Sequence, residues 1–287
     1  MDVPRREVWL GRGVLAYAHQ GGLKEGPAST SWAMRQAVAA GADAIELDVH
    51  RTRDGVLVCF HDETVDRATN GHGRISELTL SDLLALDPAH YFVPGEGEVP
   101  GREDADYPFR GRAATEPELR IATLESILEH FSDVVLNLDV KETGPGVVRY
   151  EAELVRLLER FGRRDDVIVA SFHDEATEAV RRLDPAMPTS AGVAGTAAFV
   201  AAVAQGERPP IPPYVALQVP RAFQGVPIVT RALVEAAHDV GVAVHVWTID
   251  DEAEMAELVE LGVDGIMSDR PSVLVQVLRR LGASWRR

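Results

Sequence analysis

Three short stretches near the start of the chain hold residues that can do chemistry together: Ala18-His19-Gln20-Gly21-Gly22, Ile45-Glu46-Leu47-Asp48 and Phe60-His61-Asp62. Each follows or sits within a short β-type apolar run, where a strand hands over to a loop. Glu46 and Asp48 are two residues apart, so on a strand both carboxylates point to one face. Paired hard oxygen donors beside two imidazoles suit a divalent cation and an acid–base couple. Burying such a set is too costly for a purely structural role.

The elements that must position these residues alternate. Strands are expected at Leu15–His19, Ala44–Val49, Val134–Asp139, Val167–Ser171, Thr189–Gly192, Val215–Val219, Ala243–Trp247 and Gly265–Ser268. Helices are expected at Ser31–Ala40, Thr123–Phe131, Val147–Phe161, Asp174–Leu183, Thr196–Ala204, Arg231–Val240, Glu252–Leu261 and Ser272–Leu281. Apolar strands separated by amphipathic helices make βα units and a parallel sheet, and eight such units define a (β/α)₈ TIM barrel. One segment breaks the rhythm. Only a turn fits between Val49 and Val56, and Asp54-Gly55 is a hairpin signal. A turn centred there runs Val56–His61 back along the second strand as a hairpin extension, with His61 directly opposite Asp48. A second irregular stretch, the insertion Ala89–Arg120, is rich in Gly, Pro, Asp and Glu and reads either as a lid or binding loop or as a solvated insertion.

Barrel enzymes place functional groups at the C-terminal ends of strands. That rule selects His19, the acids Glu46 and Asp48, His61 by way of the hairpin, Asp139 with Lys141 two residues on, Ser171, Trp247 and Asp269. The chemistry that fits is phosphodiester cleavage. Glu46, Asp48 and Asp139 can hold one divalent ion, Ca²⁺ or Mg²⁺ with Mn²⁺ as a further option, and Glu142 competes with Asp139 as a ligand. The ion would polarise phosphorus, Lys141 would contact a phosphate oxygen, and His19 and His61 would serve as base and acid. Trp247 reads as packing or as a wall of the substrate pocket. Ser171 and Asp269 read equally well as N-caps of the helices that follow. His50 is expected to face away from the acids, and the remaining histidines are expected to be structural or solvated.

Composition bounds the partners. The 287-residue chain has no Ser/Gly-rich linker and reads as one barrel-sized domain over 1–287. Its net charge of −16 argues against a nucleic-acid partner, which needs a basic footprint. A small phosphorylated substrate is compatible, because a bound cation inverts the local field. The single cysteine, Cys59, is expected to be a buried inert thiol. No apolar run reaches membrane-spanning length and no leader-like segment opens the chain, so a soluble cytoplasmic protein is expected.

The stretch Ala44–Leu86, AIELDVHRTRDGVLVCFHDETVDRATNGHGRISELTLSDLLAL, resembles the signature of the glycerophosphodiester phosphodiesterase family, as do IATLESIL, LNLDVK and VWTIDDEAEMAELVELGVDGIMSDRP. The resemblance spans most of the chain outside Ala89–Arg120 and the middle strands. It implies a (β/α)₈ barrel with one divalent cation, His19 and His61 as the acid–base pair, and Glu46, Asp48 and Asp139 as metal ligands. The implied reaction splits a glycerophosphodiester into glycerol phosphate and an alcohol, with the glycerol 2-hydroxyl attacking phosphorus and water opening the cyclic product. The sequence departs from the family pattern at Gln20, where arginine is usual, at Ala28, where glutamate is usual, and at Asp139, one methylene shorter than the usual glutamate. Gln20 can still hydrogen-bond a phosphate. Arg110 could replace the lost charge if the insertion folds over the rim. Two other readings are a lysophospholipase-D-like enzyme, with the insertion accommodating an acyl chain, and a non-catalytic barrel that binds a phosphorylated ligand.

Overall fold

The computed structural model describes residues 4–141 and 148–286. Its strands are β1 Leu15–His19, β2 Ala44–Arg51, β3 Leu57–Cys59, β4 Phe92–Val93, β5 Gly97–Glu98, β6 Val135–Val140, β7 Val167–Ala170, β8 Ala216–Pro220, β9 Ala222–Phe223, β10 Val226–Pro227, β11 Ala243–Trp247 and β12 Gly265–Ser268. Its α-helices are α1 Ser31–Ala40, α2 Leu80–Leu84, α3 Leu124–His130, α4 Glu151–Arg160, α5 Asp174–Leu183, α6 Val193–Ala204, α7 Arg231–Asp239, α8 Glu252–Leu261 and α9 Pro271–Leu281. Helix starts follow local chemistry. Thr30, Thr123 and Thr230 accept the backbone N–H three residues on, and Asp251 takes those of Ala253 and Glu254, satisfying donors that the first turn leaves free. No helix among the described residues is long and apolar enough to cross a membrane.

Seven strands lie side by side in the order β7-β6-β2-β1-β12-β11-β8, all parallel. The ring closes through the segment expected as the fifth strand. Thr189 bridges Val169 of β7, and Ser190 bridges Ala216 of β8, both parallel. The fold is therefore a (β/α)₈ TIM barrel. The fifth strand is cut to those bridges because Asp174 takes the N–H groups of Ala194 and Gly195, so α6 begins at Val193 rather than Thr196.

Alternation along the strands divides the side chains. Ile45, Leu47 and Val49 of β2 and Leu136, Leu138 and Val140 of β6 face the helices. Leu15, Tyr17, Ala44, Val135, Ile168, Ala216, Ala243 and Met267 form an apolar cluster inside the ring. Toward the strand C-termini the inward positions turn polar. Register then sets the site: His19 lies level with Glu46, and Asp48 with Asp139.

Two expectations are corrected here. The hairpin pairs Val49 with Cys59, His50 with Val58 and Arg51 with Leu57, which puts Phe60, not His61, level with Asp48. The loop has three residues rather than two: Thr52 N–H bonds Val56 O, and Gly55 takes the left-handed conformation at φ +88°. Such a loop shifts the register by one. The insertion, in turn, is not a structureless lid. It contains the β4–β5 hairpin and packs Phe109 edge-on against Trp32 of α1, 4.8 Å between ring centroids. Apolar burial draws it onto the barrel flank.

Candidate active site

His19 ends β1 and is held by Asp269, the residue after β12: Nδ1–H donates to Oδ1 at 2.6 Å. Its Nε2 lies 3.7 Å from Glu46 Oε2. Burial works against the charged imidazole, but the Asp269 hydrogen bond and the charges of Glu46, Asp269 and Asp48 outweigh it and raise the pKa to about 9. Asp269 therefore does not cap α9, whose N-cap Arg270 makes no side-chain cap bond. Asp250 buttresses the turn, accepting from Ser268 Oγ and Asp269 N at 2.9 Å and from Lys24 Nζ at 2.6 Å. Glu46 is pushed up to about 7 by burial and then by Asp48.

Gln20 does not line the cavity. Its side chain is buried, and its backbone, at φ +52°, directs the N–H onto Glu46 Oε2 at 3.2 Å. The segment that was to supply a phosphate contact instead fixes an acid.

Lys141 is also placed differently from the expected phosphate contact. Its Nζ sits between two acids, 2.6 Å from Asp48 Oδ1 and 2.7 Å from Asp139 Oδ2. Burial opposes its charge, but these two carboxylates outweigh that and raise its pKa. Tyr150 anchors the lysine backbone: its hydroxyl donates to Val49 O at 2.6 Å and accepts from Lys141 N at 3.1 Å. The second oxygens, Asp48 Oδ2 and Asp139 Oδ1, are buried and have no hydrogen-bond partner. No three His, Cys, Asp or Glu side chains among the described residues already stand in a ligating cluster. The donor chemistry nonetheless fits a hard cation, since buried acceptor-only oxygens require a positive partner. Glu142 lies outside the described residues.

His61 reaches the site just past β3, where the chain leaves the sheet. Its Nδ1–H donates to Asp62 Oδ1 at 2.6 Å, and this bond raises the imidazole pKa against burial. Arg67 grips Asp62 with two donors, Nε to Oδ2 at 2.6 Å and Nη2 to Oδ1 at 3.0 Å. Arg67 also pairs with Glu98 of β5. Burial favours the neutral form of Asp62, but the bonds from His61 and Arg67 hold its carboxyl well below the usual range. His50, expected to face away, is buried with Nε2 3.4 Å from His61 O; burial lowers its pKa to about 4.

These groups border one cavity of about 640 Å³, lined by His19, Glu46, Asp48, His61, Asp139, Lys141, Ser171 and Trp247 among others. Its far wall is apolar: Phe172, Val193, Ala197 and Val200 of α6, Phe223 and Ile228. Trp247 packs edge-on against Phe172, 5.7 Å between centroids. Ser171 does not cap α5; its hydroxyl donates to Val140 O at 2.7 Å. Arg110 is absent from the rim. It donates to Asp104 at 2.5 Å and to His90 O, and lies 3.8 Å over the Tyr107 ring, because ring stacking and an ion pair keep it inside the insertion. No residue of 89–120 lines the cavity. Reasoning from sequence assigned no role to Asp62, Arg67, Glu98, Lys24 or Asp250. Adjacency to His61 was the only available signal, and it marks Asp62 alone.

A TIM barrel with imidazoles and carboxylates gathered at the C-terminal ends of its strands has the layout of a barrel enzyme. The sequence profile of the glycerophosphoryl diester phosphodiesterase family matches residues 19–273. The chain belongs to that family. It is 32% identical over 279 residues to a glycerophosphodiester phosphodiesterase of Caldanaerobacter subterraneus subsp. tengcongensis, covering 93% of this chain and 99% of that one. The fold is similar to the glycerophosphoryl diester phosphodiesterase domain of a Mycobacterium tuberculosis protein, with a TM-score of 0.76, 22% identity, and 92% and 98% of the two chains covered. It is also similar to an Oleispira antarctica phosphodiesterase solved with the product sn-glycerol-3-phosphate, with a TM-score of 0.66, 22% identity, and 92% and 96% covered.

Proposed function

We propose that this barrel hydrolyses glycerophosphodiesters to glycerol phosphate and an alcohol, with His19 and His61 as the acid–base pair. The observation that carries the reading is that two imidazoles, each fixed through Nδ1 by its own aspartate, border the cavity that holds the Asp48–Asp139 pair. An imidazole held through Nδ1 leaves Nε2 to exchange a proton. One histidine removes the proton of the attacking glycerol 2-hydroxyl and the other returns one to the leaving alkoxide; water then opens the cyclic phosphate with the two proton transfers reversed. Glu46, Asp48 and Asp139 would hold one divalent cation. When bound, it would neutralise charge on the phosphoryl oxygens. Lys141 would then be released from the acids to a phosphate oxygen. The unpartnered oxygens of Asp48 and Asp139 support this assignment. The whole reaction is assigned to one barrel domain. A cytoplasmic setting belongs to the same proposal.

A second reading, action on lysolipids, draws on the apolar cavity wall, where Phe172, Val193 and Phe223 remain more than half exposed. An acyl chain would lie there and not on the insertion. The test is a panel of glycerophosphodiesters and lysolipids with wild type, His19→Ala and His61→Ala. Turnover of glycerophosphocholine that disappears in both variants is expected. Full turnover in either variant refutes the acid–base assignment, and exclusive turnover of lysolipid moves the substrate to the second reading.

A further inference from the structure

Arg67 and Glu98 lie outside the cavity lining and thirty-one residues apart in sequence, yet their ion pair links the insertion to His61. An ordinary exposed ion pair is worth little, and the Arg67 side chain is 43% exposed. Glu98 is different, with a side chain only 4% exposed. A carboxylate that deep loses most of its hydration and persists as an anion only when paired. Its backbone is fixed as well. Phe92 pairs with Glu98 across the β4–β5 hairpin, Val99 N–H bonds Tyr91 O at 2.8 Å, and Gly95 N–H bonds Lys24 O at 2.8 Å. Gly97, at φ +91°, lets that hairpin lie against Leu23, which a Cβ there would meet at 3.2 Å. Glu98 is thus a rigid post, and Arg67 is a long side chain that needs one.

We propose that Arg67 and Glu98 are positioning residues for His61, so that the 89–120 insertion acts as a brace for the site rather than as its lid. The inference rests on His61 being an acid–base group. Asp62 Oδ1 accepts from both His61 Nδ1 and Arg67 Nη2, and the guanidinium fork fixes the plane of that carboxylate. With Arg67 removed, Asp62 can rotate and the imidazole loses its fixed tautomer and direction. With the Glu98 side chain removed, Arg67 keeps its hold on Asp62 but loses its post.

The test measures kcat and KM of the full chain on glycerophosphocholine for Arg67→Ala, Arg67→Lys, Glu98→Gln and Glu98→Ala, with the His61 tautomer followed by nitrogen NMR. Arg67→Ala is expected to lower kcat about tenfold to a hundredfold, with KM changed less than about twofold and the Nδ1–H tautomer of His61 no longer dominant. Glu98→Gln, which keeps shape and hydrogen bonding, is expected to lose less than Glu98→Ala. Should Arg67→Ala not fold, Arg67→Lys and Glu98→Gln carry the same comparison. Wild-type kcat in these variants, or a rise in KM alone, overturns the proposal. His61→Ala separates the two levels. Full turnover in that variant sinks the acid–base reading itself; an inactive His61→Ala beside wild-type Arg67 and Glu98 variants sinks only the brace.

Discussion

Asp269, one residue past β12, grips His19, the last residue of β1, through a 2.6 Å Oδ1···Nδ1 hydrogen bond. The strands are neighbours, with Ala18 level with Ser268, so sheet register delivers the pair and no loop has to find it. Asp269→Asn keeps the shape and removes the charge that supports the imidazolium. Its kcat is expected to fall about tenfold to a hundredfold with little change in KM. Steady-state kinetics on glycerophosphocholine checks this, and unchanged kcat would leave Asp269 with only a structural part.

The acids make a prediction about metal. Lys141 neutralises one oxygen each of Asp48 and Asp139 and leaves the other of each without a partner. Exhaustive dialysis against EDTA is expected to cost at least about a hundredfold in rate, with recovery on adding Ca²⁺, Mg²⁺ or Mn²⁺. The binding can be read without activity: the effective ion should raise the melting temperature of the wild type but not of Asp48→Asn. Full activity after complete metal removal would refute the carboxylate-site assignment.

How much of this was legible in the sequence depends on the range of the interaction. The boundaries of β1, β11 and β12 and of α1, α5 and α8 follow from local patterning, with Thr30 and Asp251 capping α1 and α8, and the strand-end rule selects cavity-lining residues as distant as His19, Asp139 and Trp247. The hairpin register was missed because a two-residue and a three-residue loop around Asp54-Gly55 differ only in backbone conformation. Arg110 was misplaced because its partners, Asp104 and the Tyr107 ring, are visible only once the insertion has folded. The Glu98–Arg67 contact spans thirty-one residues, and nothing in local pattern announces it.

Tyr150 shows how one hydroxyl can staple the site. It is fully buried, donates to Val49 O near the end of β2 and accepts from Lys141 N past β6. Tyr150→Phe leaves the buried Val49 carbonyl and the part-buried Lys141 amide without that partner, at a cost of about 1–3 kcal/mol. A lower denaturation midpoint with an unchanged m-value is the expected result in urea. A midpoint equal to wild type would mean that other groups take over both bonds.

The opposite end of the barrel gives a pH prediction that involves neither His19 nor His61. His238 Nε2 contacts Asp264 Oδ2 at 2.8 Å, and that hydrogen bond, larger than the opposing burial, raises the imidazole pKa. Asp264 also accepts from Val244 N at 2.9 Å, so the carboxylate is held in place whether or not the histidine is charged. A folded pKa above the unfolded value of about 6.5 means that the folded state binds the proton more tightly. The stabilisation is complete below about pH 6.5 and disappears as pH rises through the folded value. Because the His238 side chain is 39% exposed, solvent screening keeps it under about 1 kcal/mol. His238→Gln retains a hydrogen-bonding side chain without the charge. Its melting temperature should therefore fall furthest below wild type near about pH 5.5 and converge on wild type near about pH 9. A deficit that stays constant across that range would assign the loss to packing rather than to the ion pair.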